Sequence, residues 1–289
     1  MKTTTLPVVA AFILAALAAP VLDAQPSWEN PVKVSLREGK PVVGLTVTVP
    51  SPDVVVQAAS LGFDYVWIEM EHSPITLETA HNMILATRGT RCVPIVRVPV
   101  NELWTAKRVL DSGALGVIFP FTATPELARQ AVAACKYPPL GRRGSGPGLP
   151  SLRWPTPEPY ADFADRNVMV IVIIEQAEAV DRIEEIASVP GIDVLFIGIN
   201  DLAYSYGLRG RYEDPRVKEA IAKILAAAKR HNIPVGRPAG TPAQTVQLIK
   251  DGFLFFQAGS ELNMMAAGSR QILEALGKTA AAPGSRPLY

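Results

Sequence analysis

Two carboxylates stand at the ends of apolar runs. Residues 168–175 read VMVIVIIE and residues 191–201 read GIDVLFIGIND, so each run closes on one acid, Glu175 or Asp201. Buried strands favour Val and Ile. A carboxylate at such a strand end needs a compensating charge or hydrogen bonds. Two strands delivering one carboxylate each predict a shared cation. With no Cys or His ligand pattern nearby, oxygen donors suit a hard divalent ion. Mg2+ or Mn2+ comes first, then Co2+ or Zn2+, with water and a substrate oxygen filling the remaining positions. For each acid alone, the competing reading is a cap on the helix that follows.

A second group lies earlier in the chain. The segment EMEHSP holds Glu69, Glu71 and His72 just after an apolar run, and VPIVRV ends another run near Arg97. Histidine transfers protons near neutral pH. Arginine in a buried strand requires an anionic partner or a polar cleft. Its fork recognises a carboxylate or an enolate oxygen, and the competing reading is an ion pair to Glu69 or Glu71. A cation, a guanidinium and a general base together are what forming an enolate beside a carboxylate requires. Asn200 adds an amide beside Asp201.

The elements that would position these groups alternate regularly. Strand-like runs fall at 42–49, 65–71, 93–98, 116–120, 168–175, 194–198, 234–239 and 253–258. Helical periodicity falls at 53–60, 77–88, 102–112, 125–136, 177–187, 215–231 and 242–250, with a closing helix over 261–276. Thr76, Asn101, Thr124, Asp214 and Thr241 sit at expected N-caps, and Pro125, Pro215 and Pro242 in the first turns. Eight βα units predict a single-domain (β/α)8 TIM barrel. In that fold the reactive face lies at the strand C-termini, which is where all the groups named so far belong. A doubly wound sheet is the alternative, but TVTVPSPD after the first run is not a phosphate loop. Residues 137–160 read as one long irregular loop, rich in Pro and Gly.

The bulk properties exclude some partners. Lys and Arg number 28 against 27 Asp and Glu, a net charge of +1, so no electrostatic case exists for nucleic acid. Lys2, the apolar stretch 8–19 and Ala24 predict a signal peptide over 1–24, with an uncleaved anchor as the alternative. The mature barrel, 25–289, is then expected in the periplasm or medium, off the membrane. Cys92 and Cys135 are expected as two separately buried thiols, although export would permit a bond.

The motifs FDYVWIEMEHSP, VPIVRVP followed by Asn101, KRVLDSGALGVIFP, KYPPLGRRG, IIEQAEAV and GIDVLFIGINDLAYSYGLRG, in this order over residues 41–276, resemble the HpcH/HpaI aldolases. The resemblance implies a class II pyruvate aldolase that cleaves a 4-hydroxy-2-oxo acid to pyruvate and an aldehyde through an enolate. It implies Glu175 and Asp201 as metal ligands, His72 as base and Arg97 on the pyruvyl oxygen. It implies substrate contacts from Glu69, Asn200 and Asp201, and a homo-oligomer, often hexameric, with an exchanged C-terminal helix. Asp111, in VLDSG, is implied as the acid supporting the histidine, whereas its own position puts it at the far end of a helix, away from the rim.

Three positions depart from the family pattern. Glu69 replaces an aspartate, Ile173 replaces a glutamine, and Asn200 replaces a small residue. They point to a changed substrate. The competing functions are a related C–O lyase or hydrolase of an oxo acid, an exported barrel that binds a carboxylate without turnover, and a structural barrel whose rim is only caps and ion pairs.

Overall fold

The computed structural model describes residues 28–278; the expected signal peptide lies outside them. Eight parallel strands close in sequence order: β1 (Val42–Val47), β2 (Tyr65–Glu69), β3 (Val93–Arg97), β4 (Gly116–Phe119), β5 (Met169–Ile174), β6 (Val194–Ile197), β7 (Val235–Pro238) and β8 (Phe253–Ser260). The (β/α)8 expectation holds, with every strand in its expected place. Several strands stop one or two residues short of the expected ends.

Thirteen helices are described, α1 (Pro31–Arg37), α2 (Pro52–Leu61), α3 (Leu77–Ala86), α4 (Leu103–Asp111), α5 (Pro125–Cys135), α6 (Gly148–Arg153), α7 (Tyr160–Asn167), α8 (Ala177–Asp181), α9 (Ile183–Ala187), α10 (Ile199–Ser205), α11 (Pro215–Arg230), α12 (Pro242–Lys250) and α13 (Glu261–Ala275). Helices α1, α6, α7 and α10 were not expected. The long segment after α5 is therefore not wholly irregular. The interval 177–187 is broken at Arg182 into α8 and α9. Thr76, Thr124, Asp214 and Thr241 cap as expected. Asn101 does not: Glu102 is the cap of α4, and the Asn101 amide instead donates to the Leu127 carbonyl at 3.0 Å.

The period-two pleat decides which side chains enter the barrel. On β2, Tyr65, Trp67 and Glu69 share the inner face. Tyr65 stacks on Phe255 with ring centroids 4.4 Å apart. Its ring occupies the space that a Cβ on Gly44 would need, so glycine on β1 admits a large residue on β2. Trp67 and Phe196 meet edge-on, 5.0 Å apart, and fill the upper interior. Cys92 and Cys135 are buried free thiols, and burial pushes each up to about 12. Among the described residues no helix is long and apolar enough to cross a membrane.

Candidate active site

β2 and β3 run in register with Glu69 beside Arg97, so an acid and a guanidinium arrive together at two strand ends. Glu69 Oε2 accepts from Arg97 Nε at 2.6 Å and from Trp67 Nε1 at 3.0 Å. Its Oε1 accepts from the backbone N–H groups of Glu71 at 2.7 Å and His72 at 2.9 Å. At 2% exposure, a carboxylate with both oxygens engaged by the chain has no room for a substrate. The expected substrate contact by Glu69 is thus corrected. Its longer side chain tucks under the arginine and holds both Arg97 and the turn that carries His72.

Arg97 also lies against Glu71, with Nη1 3.0 Å from Oε2. That oxygen is buried without a hydrogen bond among the described residues, so the contact is ionic rather than directed. The ion-pair reading of Arg97 therefore holds with both acids at once. Burial raises the Glu71 carboxyl to about 7, Arg97 opposes the rise, and Glu69 and Asp201 add to it. Glu71 was visible in the sequence only as a partner for Arg97; its burial was not.

His72 Nε2 stands 3.6 Å from Glu71 Oε2, on a half-exposed ring. Burial, and after it the Arg97 charge, hold its pKa below the ordinary value. It is therefore a neutral imidazole at neutral pH, the form that accepts a proton.

Glu175 follows β5 and is 3% exposed. Its Oε1 accepts from the Phe121 N–H at 2.6 Å. Phe121 takes φ of +50°, a left-handed conformation uncommon for a residue with a side chain. Burial pushes the Glu175 carboxyl up to about 7; the Phe121 N–H opposes this, while Asp201 and Glu71 reinforce it. Beside Glu175, Gly198 follows β6, its N–H donating to the Ile174 carbonyl at 3.2 Å. A Cβ there would come within 2.8 Å of Glu175 Oε2. The absence of a side chain leaves that oxygen room, and Asp201 stands in the first turn of the helix that follows, α10.

Arg97, Glu175, Asn200 and Asp201 line one cleft with Trp67, Ile173 and Gln257. The donor set fits a divalent cation. The Asp201 charge adds to the rise at Glu175, and the Arg97 guanidinium turns its Nε and Nη1 to Glu69 and Glu71 rather than to this pair. Among the described residues no cluster of three or more His, Cys, Asp or Glu is arranged for a metal. Two carboxylates, with further positions open to water and a substrate oxygen, would suit a Mg2+-type ion.

Asp111 is not part of this group. As the last residue of α4 it lies at the face where strands begin. There it pairs with Arg143, Oδ1 to Nη2 at 3.1 Å, and packs on Gly146. Within one chain it does not support His72, because a helix returning antiparallel to β3 carries its C-terminus to the opposite end of the barrel.

The HpcH/HpaI aldolase/citrate lyase family model matches residues 43–267. The chain belongs to that family. A 5-keto-4-deoxy-D-glucarate aldolase of Salmonella arizonae is 33% identical over 251 residues, 87% of this chain and 98% of that protein. A 2-dehydro-3,6-dideoxy-6-sulfogluconate aldolase of Pseudomonas putida is 36% identical over 215 residues, 74% and 84% of the two chains. The crystal structure of a family member from Burkholderia cenocepacia J2315 superposes with a TM-score of 0.80 at 33% identity, covering 86% of this chain and all of that one. The protein is accordingly an enzyme, a lyase of the metal-dependent aldolase class.

Proposed function

We propose that the protein cleaves a 4-hydroxy-2-oxo acid to pyruvate and an aldehyde, with Mg2+ or Mn2+ held by Glu175 and Asp201. The convergence of Arg97, Glu175 and Asp201 on one cleft, with His72 at its rim, carries this reading. When bound, the cation supplies Lewis-acid polarisation of the 2-oxo group. Arg97, held by Glu69, donates to the keto oxygen and stabilises the charge that develops there. Neutral His72 takes the proton of the 4-hydroxyl. The C3–C4 bond then breaks, its electron pair passes into the pyruvate enolate, the aldehyde departs, and protonation at C3 gives pyruvate. Asn200 donates to the substrate carboxylate. The test is a panel of 4-hydroxy-2-oxo acids with Mg2+ or Mn2+, following pyruvate. Release from none of them by folded, metal-loaded protein would sink the proposal.

Two further parts of the reading concern assembly and location. α13 buries none of its residues and exposes Leu262, Met264, Met265 and Ile272, which supports a homo-oligomer in which a second chain covers this helix. Light scattering coupled to size exclusion tests it, and a monomer would refute it. The apolar stretch 8–19 supports export; finding the unprocessed chain in the cytoplasmic fraction alone would refute that.

A further inference from the structure

Resting on the aldolase reading above, we infer that the substrate's far end, the part released as the aldehyde, is uncharged and carries a hydroxyl or carbonyl that Gln257 reads. The cleft has two unlike halves. β3, the end of β5 and α10 bring Arg97, Glu175 (the residue after β5) and Asp201; β7 and β8 contribute Pro238 and Gln257. Trp67, Phe196 and Ile173 are the cleft's apolar lining, with the first two rings edge-on 5.0 Å apart. The charged half holds the 2-oxo acid, so the neutral half faces the remainder of the molecule.

Gln257 is the polar side chain of that half. It is 8% exposed, and its Nε2 donates to Thr46 Oγ1 at 2.7 Å. The threonine fixes the orientation of the amide and leaves its carbonyl oxygen and second N–H for a guest. A buried amide so oriented favours a substrate that completes its hydrogen bonds over one that leaves them unmade.

A second acid on the substrate would meet the opposite situation. Among the described residues lining the cleft, Arg97 is the sole cation, and its Nε and Nη1 already face Glu69 and Glu71. Four carboxylates, Glu69, Glu71, Glu175 and Asp201, surround that one guanidinium. They outnumber the guanidinium, and two of them already face its Nε and Nη1. An anion placed against Pro238 and the apolar lining would be both unpaired and repelled.

The experiment has two stages on the full chain loaded with Mn2+. Exchange of the pyruvate methyl protons for deuterium reports enolisation with no aldehyde present. Aldol addition of pyruvate to glycolaldehyde, propanal and glyoxylate then compares the far ends. The expected order of kcat/KM is glycolaldehyde, propanal, glyoxylate, with glycolaldehyde favoured about tenfold or more over glyoxylate. Gln257→Leu, and Gln257→Met as a variant closer in length, should each lower the glycolaldehyde value about tenfold and the propanal value far less. Exchange accompanied by a preference for glyoxylate overturns this inference alone, as does an equal loss on both aldehydes in folded variants. Absence of exchange overturns the aldolase reading itself.

Discussion

The backbone N–H of Phe121 lies 2.6 Å from Glu175 Oε1, and the other oxygen of that carboxylate lies within 2.8 Å of where a Cβ on Gly198 would stand. One oxygen is thereby committed to the chain and the other is kept open by an absent side chain. Gly198→Ala should disturb the open one. The added methyl also meets Glu175 Cβ at 2.8 Å and Ile173 Cγ2 at 3.0 Å, and the φ of −78° tolerates alanine, so the effect is steric. Overpacking of this kind costs roughly 1–3 kcal/mol. Titration calorimetry of the metal-free protein should show Mn2+ binding weakened about tenfold or more, in line with that cost; unchanged affinity would mean that Oε2 is not a ligand.

Glu69→Gln tests the acid beneath the arginine. All four of its partners are donors: Arg97 Nε, Trp67 Nε1 and two backbone N–H groups. Whichever way the amide is turned, its NH2 meets donors, and Arg97 loses a buried counter-charge. Breaking such a pair costs about 3–5 kcal/mol. Denaturant unfolding should show a loss of that order, and kcat/KM should fall with it because Arg97 is released. A variant as stable and as active as the parent would show that Glu69 positions nothing.

The two raised carboxyls predict a pH dependence with a definite sign. Burial carries Glu71 and Glu175 up to about 7 in the folded chain. From the ordinary carboxylate value up to that point, the folded protein keeps protons that the unfolded chain has released. Its stability without metal should therefore fall as pH rises through this window. His72 titrates in the opposite sense, but its half-exposed ring is screened by solvent. Metal ligands must be ionised, so Mn2+ affinity should rise over the same window. Melting curves between about pH 5 and pH 7.5, in chelator and in Mn2+, check both signs. Glu175→Gln should remove part of the slope in chelator.

The fold was legible because buried parallel strands leave Val- and Ile-rich runs, and the strand-end charges were legible because their burial is costly. Short elements were not. α10 has seven residues, too few for a periodic pattern, and α1 sits in a polar lead with only Val32 and Leu36 buried. The Phe121 contact left no mark in the sequence, since a backbone N–H belongs to every residue type except proline. The Gln257–Thr46 pair spans β8 and β1, and only closure of the barrel brings those strands together. Glu69 shows the remaining gap: a longer acid was visible, but whether it reached up to a ligand or down to Arg97 depended on packing.

Asp111 and Arg143 give the last prediction. Arg143 is fully enclosed, its Nη2 meets Asp111 Oδ1 at 3.1 Å, and its guanidinium lies 4.6 Å from the centre of the Tyr137 ring. Its Nε and Nη1 are buried without hydrogen bonds among the described residues, so Asp111 is the carboxylate that compensates its charge. Asp111→Asn keeps the shape and removes that charge. Leaving a buried guanidinium uncompensated costs about 3 kcal/mol, somewhat less here because Asp111 is partly exposed. Thermal unfolding of the metal-free protein should show the loss directly. In one chain Asp111 stands at the opposite end of the barrel from His72, so Mn2+ affinity measured by calorimetry should stay within about threefold of the parent. A stability unchanged by the substitution would contradict the Arg143 pairing.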